Sequence, residues 1–274
     1  MSLMPGMHTM PISGSTRCLA LIGHPVEQVR SPPAFNRWFA QHGIDAVIFP
    51  VDLMPAALPD FFAMLRGWRN CIGLSVTMPH KAAALALVDD CTPRARQSGA
   101  LNIVRRDADG RLVGDMVDGL AFVSALRAGG FDPAGRRGAI LGAGGAGRAI
   151  AHALAEAGIA SLAVRDIDAA ARARLLADLR SAHPQLAVSP DVDSADALDL
   201  LVNASPLGMR PDDPLPFAVD GLRPGVVVAD VVTKPAMTPF LQRAAERDCT
   251  VQTGHAMADA QLPFQMAHFG LLPQ

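Results

Sequence analysis

The sequence predicts an α/β protein in two parts, a front domain with a mixed sheet and a back domain with a parallel, doubly wound sheet. Three observations carry this reading. Short apolar runs alternate with helical stretches along most of the chain. Near the middle, a glycine-rich turn within "GAILGAGGAGRAI" (residues 138–150) joins one such run to a helix. A turn of that kind ordinarily opens its domain, so the long stretch ahead of it must be a domain in its own right.

The elements follow in order. "RCLALIG" reads as a strand, and "SPPAFNRWFAQHG" as a helix opened by Ser31 with prolines in its first turn. "AVIFPVD" is a second strand, "PAALPDFFAMLRGW" a helix and "CIGLSVTMP" a further strand segment. Helices are expected around "HKAAALALVD" and "PRARQSG". "ALNIVRR" and "LVGDMV" then flank "DADG", a hairpin turn signal that closes a mixed sheet. "DGLAFVSALRAGG" reads as a linking helix ending in glycines. Beyond it come "RGAILG", a helix, "SLAVRD", a helix, "LLVNAS", "GVVVADVV", a helix and "TVQTG", a doubly wound series. The last segment, "AMADAQLPFQMAHFG", is helical with no strand after it. The front domain is therefore expected over residues 1–117, joined by the last helix (255–274), and the back domain over 118–254.

Composition narrows the function classes. The chain has 274 residues, enough for two domains that each bury a core. Half the residues are hydrophobic and 18% are charged, which excludes a disordered chain. A net charge of −2 and the lack of a Lys/Arg block argue against a nucleic-acid partner. No apolar run is long enough to span a bilayer. The opening "MSLMPGMHTMPISGS" has neither a basic nor an apolar signal region and reads as a loose tail. Cys18, Cys71, Cys91 and Cys249 show no CxxC spacing and read as buried, reduced thiols of a cytoplasmic protein.

Gly142, Gly144 and Gly147 satisfy GxGxxG directly after a strand and at the start of a helix. The first glycine permits the tight turn, the second lets backbone approach a pyrophosphate, and the third lets helix and strand pack closely. Free N–H groups at the helix start then face the phosphates. This marks the back domain as a Rossmann-type dinucleotide-binding domain, with Ala143, Gly145 and Ala146 completing the loop. About twenty residues on, in the range for an acidic ribose reader, "LAVRD" ends with Asp166. Asp166 can accept both ribose hydroxyls of NAD and would repel a 2′-phosphate, whereas Arg165 beside it would attract one. The acid is the better-placed reader, so NAD is expected in preference to NADP. Either residue could instead be an ordinary solvated charge at a strand end.

"GLSVTMPHK" places Lys81 just after a strand and a proline turn, and "VGDMVDG" places Asp118 where the linking helix begins. Singly, such a lysine is usually a surface charge and such an aspartate a helix cap. Both, however, lie at strand ends, where ligands of open α/β sheets gather. Together with "LIGHPVEQVRSP", "GALN", "GAGGAGRA", "NASPLGM", "DVVTKP" and "GHAMADAQ", in this order over nearly the whole chain, these stretches resemble the shikimate/quinate dehydrogenase family. The resemblance implies that Lys81 and Asp118 form the catalytic pair and that Ser31, Thr77, Asn102 and Gln261 hold substrate. It further implies cofactor contacts from Asn203, Ser205, Val231 and Gly254. The front domain then binds a cyclic polyhydroxy acid, and the last helix, carrying Gln261, folds back onto it.

The chemistry agrees. Oxidising a secondary alcohol needs hydride loss to nicotinamide and proton loss from oxygen. No HExxH or His/Cys cluster suggests a metal, so an amine must handle the proton, and Lys81 is the candidate. An opposite charge about 4 Å away is worth about 4 kcal/mol at an effective dielectric of about 20, enough for Asp118 to steady a floppy lysine.

Several family positions are altered. Val29 replaces the first serine of SxSP, Met116 and Val117 replace Asn and Thr of NTDG, Ile103 replaces a threonine, and Thr233 a tyrosine. The first serine and the tyrosine help the family hold the substrate carboxylate. The leading expectation is thus a dehydrogenase of a shikimate-like or quinate-like compound altered at the carboxylate end, acting as monomer or homodimer. The alternatives are an authentic shikimate or quinate dehydrogenase with a rebuilt clamp, and a retired enzyme that senses NAD or ligand.

Overall fold

The computed structural model describes residues 11–27, 29–191 and 197–272. The first ten residues, most of the expected tail, lie outside them. The chain divides into two compact units. The first comprises the chain up to Cys91, Leu101–Asp115 and the segment from Gln265 onward; the second comprises Thr92–Ala100 and Met116–Phe264.

The first unit holds a six-stranded mixed sheet. Its strands are β1 (Arg17–Gly23), β2 (Ala46–Asp52), β3 (Cys71–Val76), β4 (Asp90–Cys91), β5 (Ile103–Arg106) and β6 (Leu112–Asp115), in the order β2-β1-β3-β5-β6-β4. β1 runs parallel to β2 and β3, β5 is antiparallel to β3 and β6, and β4 runs parallel to β6. The expected hairpin closes at Asp107–Gly110 through Gly110 N–H to Asp107 O (2.9 Å). Helices α1 (Ser31–Gln41) and α2 (Leu58–Gly67) bury Phe35, Phe39, Phe62 and Leu65. Pro32 and Pro33 sit in the first turn of α1, where their missing N–H groups cost nothing. β2 is an edge strand, and Asn36 of α1 satisfies it: its amide donates to Ile48 O and accepts from Ile48 N–H, both at 2.9 Å.

Two local expectations change here. The helix read around "HKAAALALVD" is only α3 (Lys81–Leu85), because Ala86 and Leu87 N–H tighten onto Ala83 and Ala84 carbonyls. The residues that follow form the two-residue strand β4, too short for any periodicity to reveal; only its pairing with β6 defines it.

The second unit begins with α4 (Pro93–Ser98) and α5 (Asp118–Ala128). Then follow β7 (Arg137–Leu141), α6 (Gly145–Glu156), β8 (Ser161–Arg165), α7 (Ala169–Ala182), β9 (Ala187–Ser189), β10 (Leu200–Asn203), β11 (Val227–Asp230), α8 (Pro239–Ala245), β12 (Thr250–Gln252) and the start of α9 (Gly254–Phe269). The strand order is β12-β11-β10-β7-β8-β9, all parallel, as in a doubly wound dinucleotide fold. Strand β9 was not legible from the sequence; Ala187, Val188 and Ser189 are too short a run to carry a signal apart from the partner β8. Alternation splits each central strand between two cores. Ile140, Leu200, Val202 and Val227 face one cluster with α5 and α6, while Ala139, Leu201 and Val228 face another with Phe240 and Leu241.

Inside the second unit, His152 of α6 and His183 after α7 are buried with Nδ1 and Nε2 3.1 Å apart, and His152 Nε2 has no partner. Burial, then His183, then Arg148 push the His152 imidazolium pKa down from 6.5 to about 4, while Asp178 pulls it up. The folded state therefore binds fewer protons than the unfolded chain between these values. Its stability is complete above pH 6.5 and is lost as pH falls toward 4. Urea midpoints should show a loss of roughly 2–3 kcal/mol between neutral pH and the folded pKa. His152→Leu should flatten that slope, and a slope that survives the substitution would assign the acid loss to other groups.

Candidate active site

The glycine loop is built by close approach. Gly142 has φ +111°, and a Cβ on it would lie 2.6 Å from Ala204 O. A Cβ on Gly147 would lie 1.9 Å from Gly142 O, so only glycine lets α6 pack against the turn. Gly144 differs: it is extended, and a Cβ there would meet nothing within 4 Å. Open space beside the middle glycine, at the start of a helix with free N–H groups, fits a pyrophosphate.

Asp166 braces this loop. One carboxylate oxygen accepts Ala143 N–H at 2.6 Å and the other accepts Asp168 N–H at 2.7 Å, while Gly142 N–H reaches Arg165 O at 2.8 Å. Asp166 is half-buried and bonded rather than a free strand-end charge. Arg165 is exposed, with its guanidinium 6.0 Å from the Phe217 ring centre.

A second group gathers after β10 and β11. Asn203 is fully buried; its amide donates to Leu207 O (2.8 Å) and to Asp230 (3.0 Å), and its oxygen accepts from Ser205 N–H (3.1 Å) and Oγ (2.6 Å). Val231 N–H bonds Asn203 O at 3.0 Å. Gly254 opens α9 against the Val231 and Val232 carbonyls, where a Cβ would come within 2.7 and 2.3 Å.

Asp118 is the first residue of α5, with Val117 in the capping position. The helix-cap reading therefore fails. Its carboxylate is fully buried and accepts a hydrogen bond from Gln261 Nε2 of α9 at 3.1 Å. The second unit thus joins two predicted residues 143 positions apart.

In the first unit, the chain leaving β3 carries Thr77 and Lys81. Thr77 N–H bonds Ile22 O (2.9 Å), and His80 N–H bonds Thr77 O (3.0 Å). The buried His80 ring bonds Leu53 O at 2.8 Å, fixing the turn just before Lys81. Lys81 O accepts Leu101 N–H (2.9 Å), and Asn102 O accepts Val76 N–H (2.8 Å). Backbone bonding therefore collects Thr77, Lys81 and Asn102 at one end of β3. Ser31 begins α1, half-buried, on the chain that leaves β1; Val29 precedes it, also half-buried.

Among the described residues, no group of three His, Cys, Asp or Glu side chains could hold a metal, and no helix is long and apolar enough to cross a membrane.

Residues 21–104 match the family model described as the shikimate dehydrogenase substrate binding domain. A shikimate dehydrogenase (NADP(+)) of Rubrobacter xylanophilus is 42% identical over 241 residues, covering 86% of this chain and 84% of the relative. The chain belongs to the shikimate/quinate dehydrogenase family. A solved shikimate dehydrogenase in complex with NADP+ superimposes with a TM-score of 0.87 at 27% identity, covering 98% of this chain and 95% of that one. A ligand-free 5-ketofructose reductase of Gluconobacter sp. strain CHM43 gives a TM-score of 0.82 at 29% identity, with 93% of each chain covered. The protein is an oxidoreductase of the shikimate/quinate type, a dehydrogenase acting on a CH–OH donor.

Two side chains of this dehydrogenase escaped sequence reasoning. His80 adjoins Lys81 inside the motif but reads as one more polar residue until its bond to Leu53 O is seen. Asp230 lies in both "GVVVADVV" and "DVVTKP", where the sequence reading gives it no role. The signal was available: a lone acid within "GVVVADVV" must be paired if that strand is buried.

Proposed function

We propose that the chain interconverts a ring hydroxyl and a ketone on a shikimate- or quinate-like polyhydroxylated compound, using a nicotinamide dinucleotide, with Lys81 and Asp118 as the catalytic pair. The observation that supports it best is the state of Asp118: a fully buried carboxylate at the first position of α5, held by a side-chain amide from another helix. A charge kept dry in this way is preorganised for a partner cation or a hydroxyl. When bound, the nicotinamide ring supplies or accepts the hydride. Lys81 gives a proton to the carbonyl oxygen during reduction and takes it from the hydroxyl during oxidation. Asp118 orients Lys81 and a neighbouring ring hydroxyl, and Gln261 orients Asp118. Ser31, Thr77 and Asn102 hold the remaining substrate hydroxyls. Lys81→Ala should leave dinucleotide binding nearly intact and lower turnover by roughly 10²–10⁴-fold, the usual worth of a general acid/base. Asp118→Asn, which keeps shape but not charge, should also impair turnover. Near-normal turnover in the lysine variant would remove it from the chemistry, and a wild type without turnover on any cyclic polyol would favour a ligand sensor.

The cofactor reading is NAD in preference to NADP, resting on Asp166 beside the glycine loop; the Rubrobacter relative is named for NADP(+). Comparison of kcat/KM with each dinucleotide tests this. Asp166→Ser should narrow the preference for NAD, and it should weaken both dinucleotides because the same carboxylate braces Ala143 and Asp168. Arg165→Ala should matter little with NAD. A wild type that prefers NADP, and loses that preference on Arg165→Ala, would exchange the roles of the two residues.

The substrate is proposed to differ from shikimate at the carboxylate. Burying a carboxylate without partners costs several kcal/mol. Val29 offers no donor, and Thr233, whose carbonyl accepts from His255 Nε2 at 2.7 Å, is shorter than a tyrosine. Arg30 and Lys234 adjoin these positions, but both are exposed. The ketofructose reductase, whose named substrate is a keto sugar, is a precedent for such a change on this fold. Weak activity on shikimate is expected, and Val29→Ser with Thr233→Tyr should improve it more than either change alone. Efficient wild-type turnover at micromolar shikimate would instead make this an ordinary shikimate or quinate dehydrogenase.

A further inference from the structure

We propose that Asp230 is a positioning residue for the dinucleotide, and that the Asn203 side chain serves the same network rather than contacting the cofactor. The inference rests on reading the second unit as the dinucleotide domain. Asp230 ends β11, in register beside Asn203 at the end of β10, and is 1% exposed. Oδ1 accepts from Asn203 Nδ2 at 3.0 Å and from Val232 N–H at 2.9 Å; Oδ2 accepts from Thr238 Oγ1 at 2.7 Å. One carboxylate therefore gathers donors from the end of β10, the chain leaving β11 and the start of α8.

An apolar side chain would be cheaper to bury but could not collect these donors. Burial raises the Asp230 carboxyl pKa on balance, against the three hydrogen bonds that lower it. Asn203 has no capacity left for a ligand. Its amide makes two donor and two acceptor bonds, the full complement of the group. Through Asn203 the carboxylate sets the course of Ser205 and Leu207.

That loop bears on the glycine turn. Ala204 N–H bonds Leu141 O at 2.7 Å, and its carbonyl is the atom that a Cβ on Gly142 would strike. Gly208, at φ +95°, closes the same loop against Thr238, with a Cβ there 3.2 Å from Thr238 Cβ. A loop freed from Asp230 would thus shift beside the first glycine of the pyrophosphate cradle.

The test uses the full chain and its Asp230→Ala, Asp230→Asn and Thr238→Val variants. NADH and NADPH dissociation constants are read from the dinucleotide's own fluorescence, well below each variant's thermal midpoint. Circular dichroism reports folding. Losing all three bonds in Asp230→Ala should weaken both dinucleotides about tenfold or more, and losing one in Thr238→Val about threefold to tenfold. Asp230→Asn should recover to within about threefold of wild type, since its oxygen can face Asn203 and Val232 while its amide donates to the Thr238 hydroxyl. A purely structural role would lower the midpoints and leave the dissociation constants alone; that result overturns the proposal. Should Asp230→Ala fail to fold, Thr238→Val decides alone. Wild-type protein that binds neither dinucleotide overturns the reading of the domain and this inference with it, whereas wild-type binding with unmoved variants overturns only the inference.

Discussion

The second unit depends on one close approach, the contact between Gly147 at the head of α6 and the carbonyl of Gly142. No side chain fits there: even a methyl would overlap the carbonyl oxygen. Because the helix can sit that low, its first N–H groups open toward the turn instead of being screened by packing. The same constraint fixes the loop after β10, since Ala204 lies against Gly142 from the other side. Sheet, helix and turn are thus locked by missing atoms, and the polar bonds around Asp166 hold the turn in the one shape this permits.

Around these sterics the fold uses buried polar side chains as fasteners. Asn36 satisfies an edge strand, His80 ties the chain before Lys81 to Leu53, Asn203 and Asp230 join two loops, and Gln261 meets Asp118. His80, Asn203, Asp230 and Asp118 lie at the end of a strand or the start of a helix, where backbone groups lose their regular partners, whereas Asn36 and Gln261 reach out from within α1 and α9. Apolar contacts could not replace them, because a dispersion contact has no preferred direction whereas a hydrogen bond does. The cost of desolvating these groups is recovered in position, which is what hydride and proton transfer demand.

Nearly all the regular elements could be read from the chain because their causes are local. Short apolar runs in β1, β7 and β10, prolines at the head of α1 and α2, and the glycine turn each act within a few residues. The exceptions lack such a signal in their own residues. Strands β4 and β9 exist only because a neighbour offers hydrogen bonds, and α3 stops short where its last N–H groups tighten. Aspartates show the same divide. Asp166 was legible from its distance to the glycines, whereas Asp230 acquires meaning only from Thr238 and Asn203.

By itself the sequence determined the mixed and doubly wound sheets, the glycine loop with its acidic companion, and the motifs that place the chain among the shikimate/quinate dehydrogenases. Those follow from residue type and spacing, and spacing survives in one dimension. Only the tertiary structure decided that Asp118 is no cap but a buried carboxylate meeting Gln261, that Asp166, expected as the ribose reader, also braces the glycine loop, and that Asn203 is saturated by its own neighbours. A hydrogen bond depends on which donor arrives within about 3 Å, and for distant residues folding sets that distance while the count of intervening residues does not.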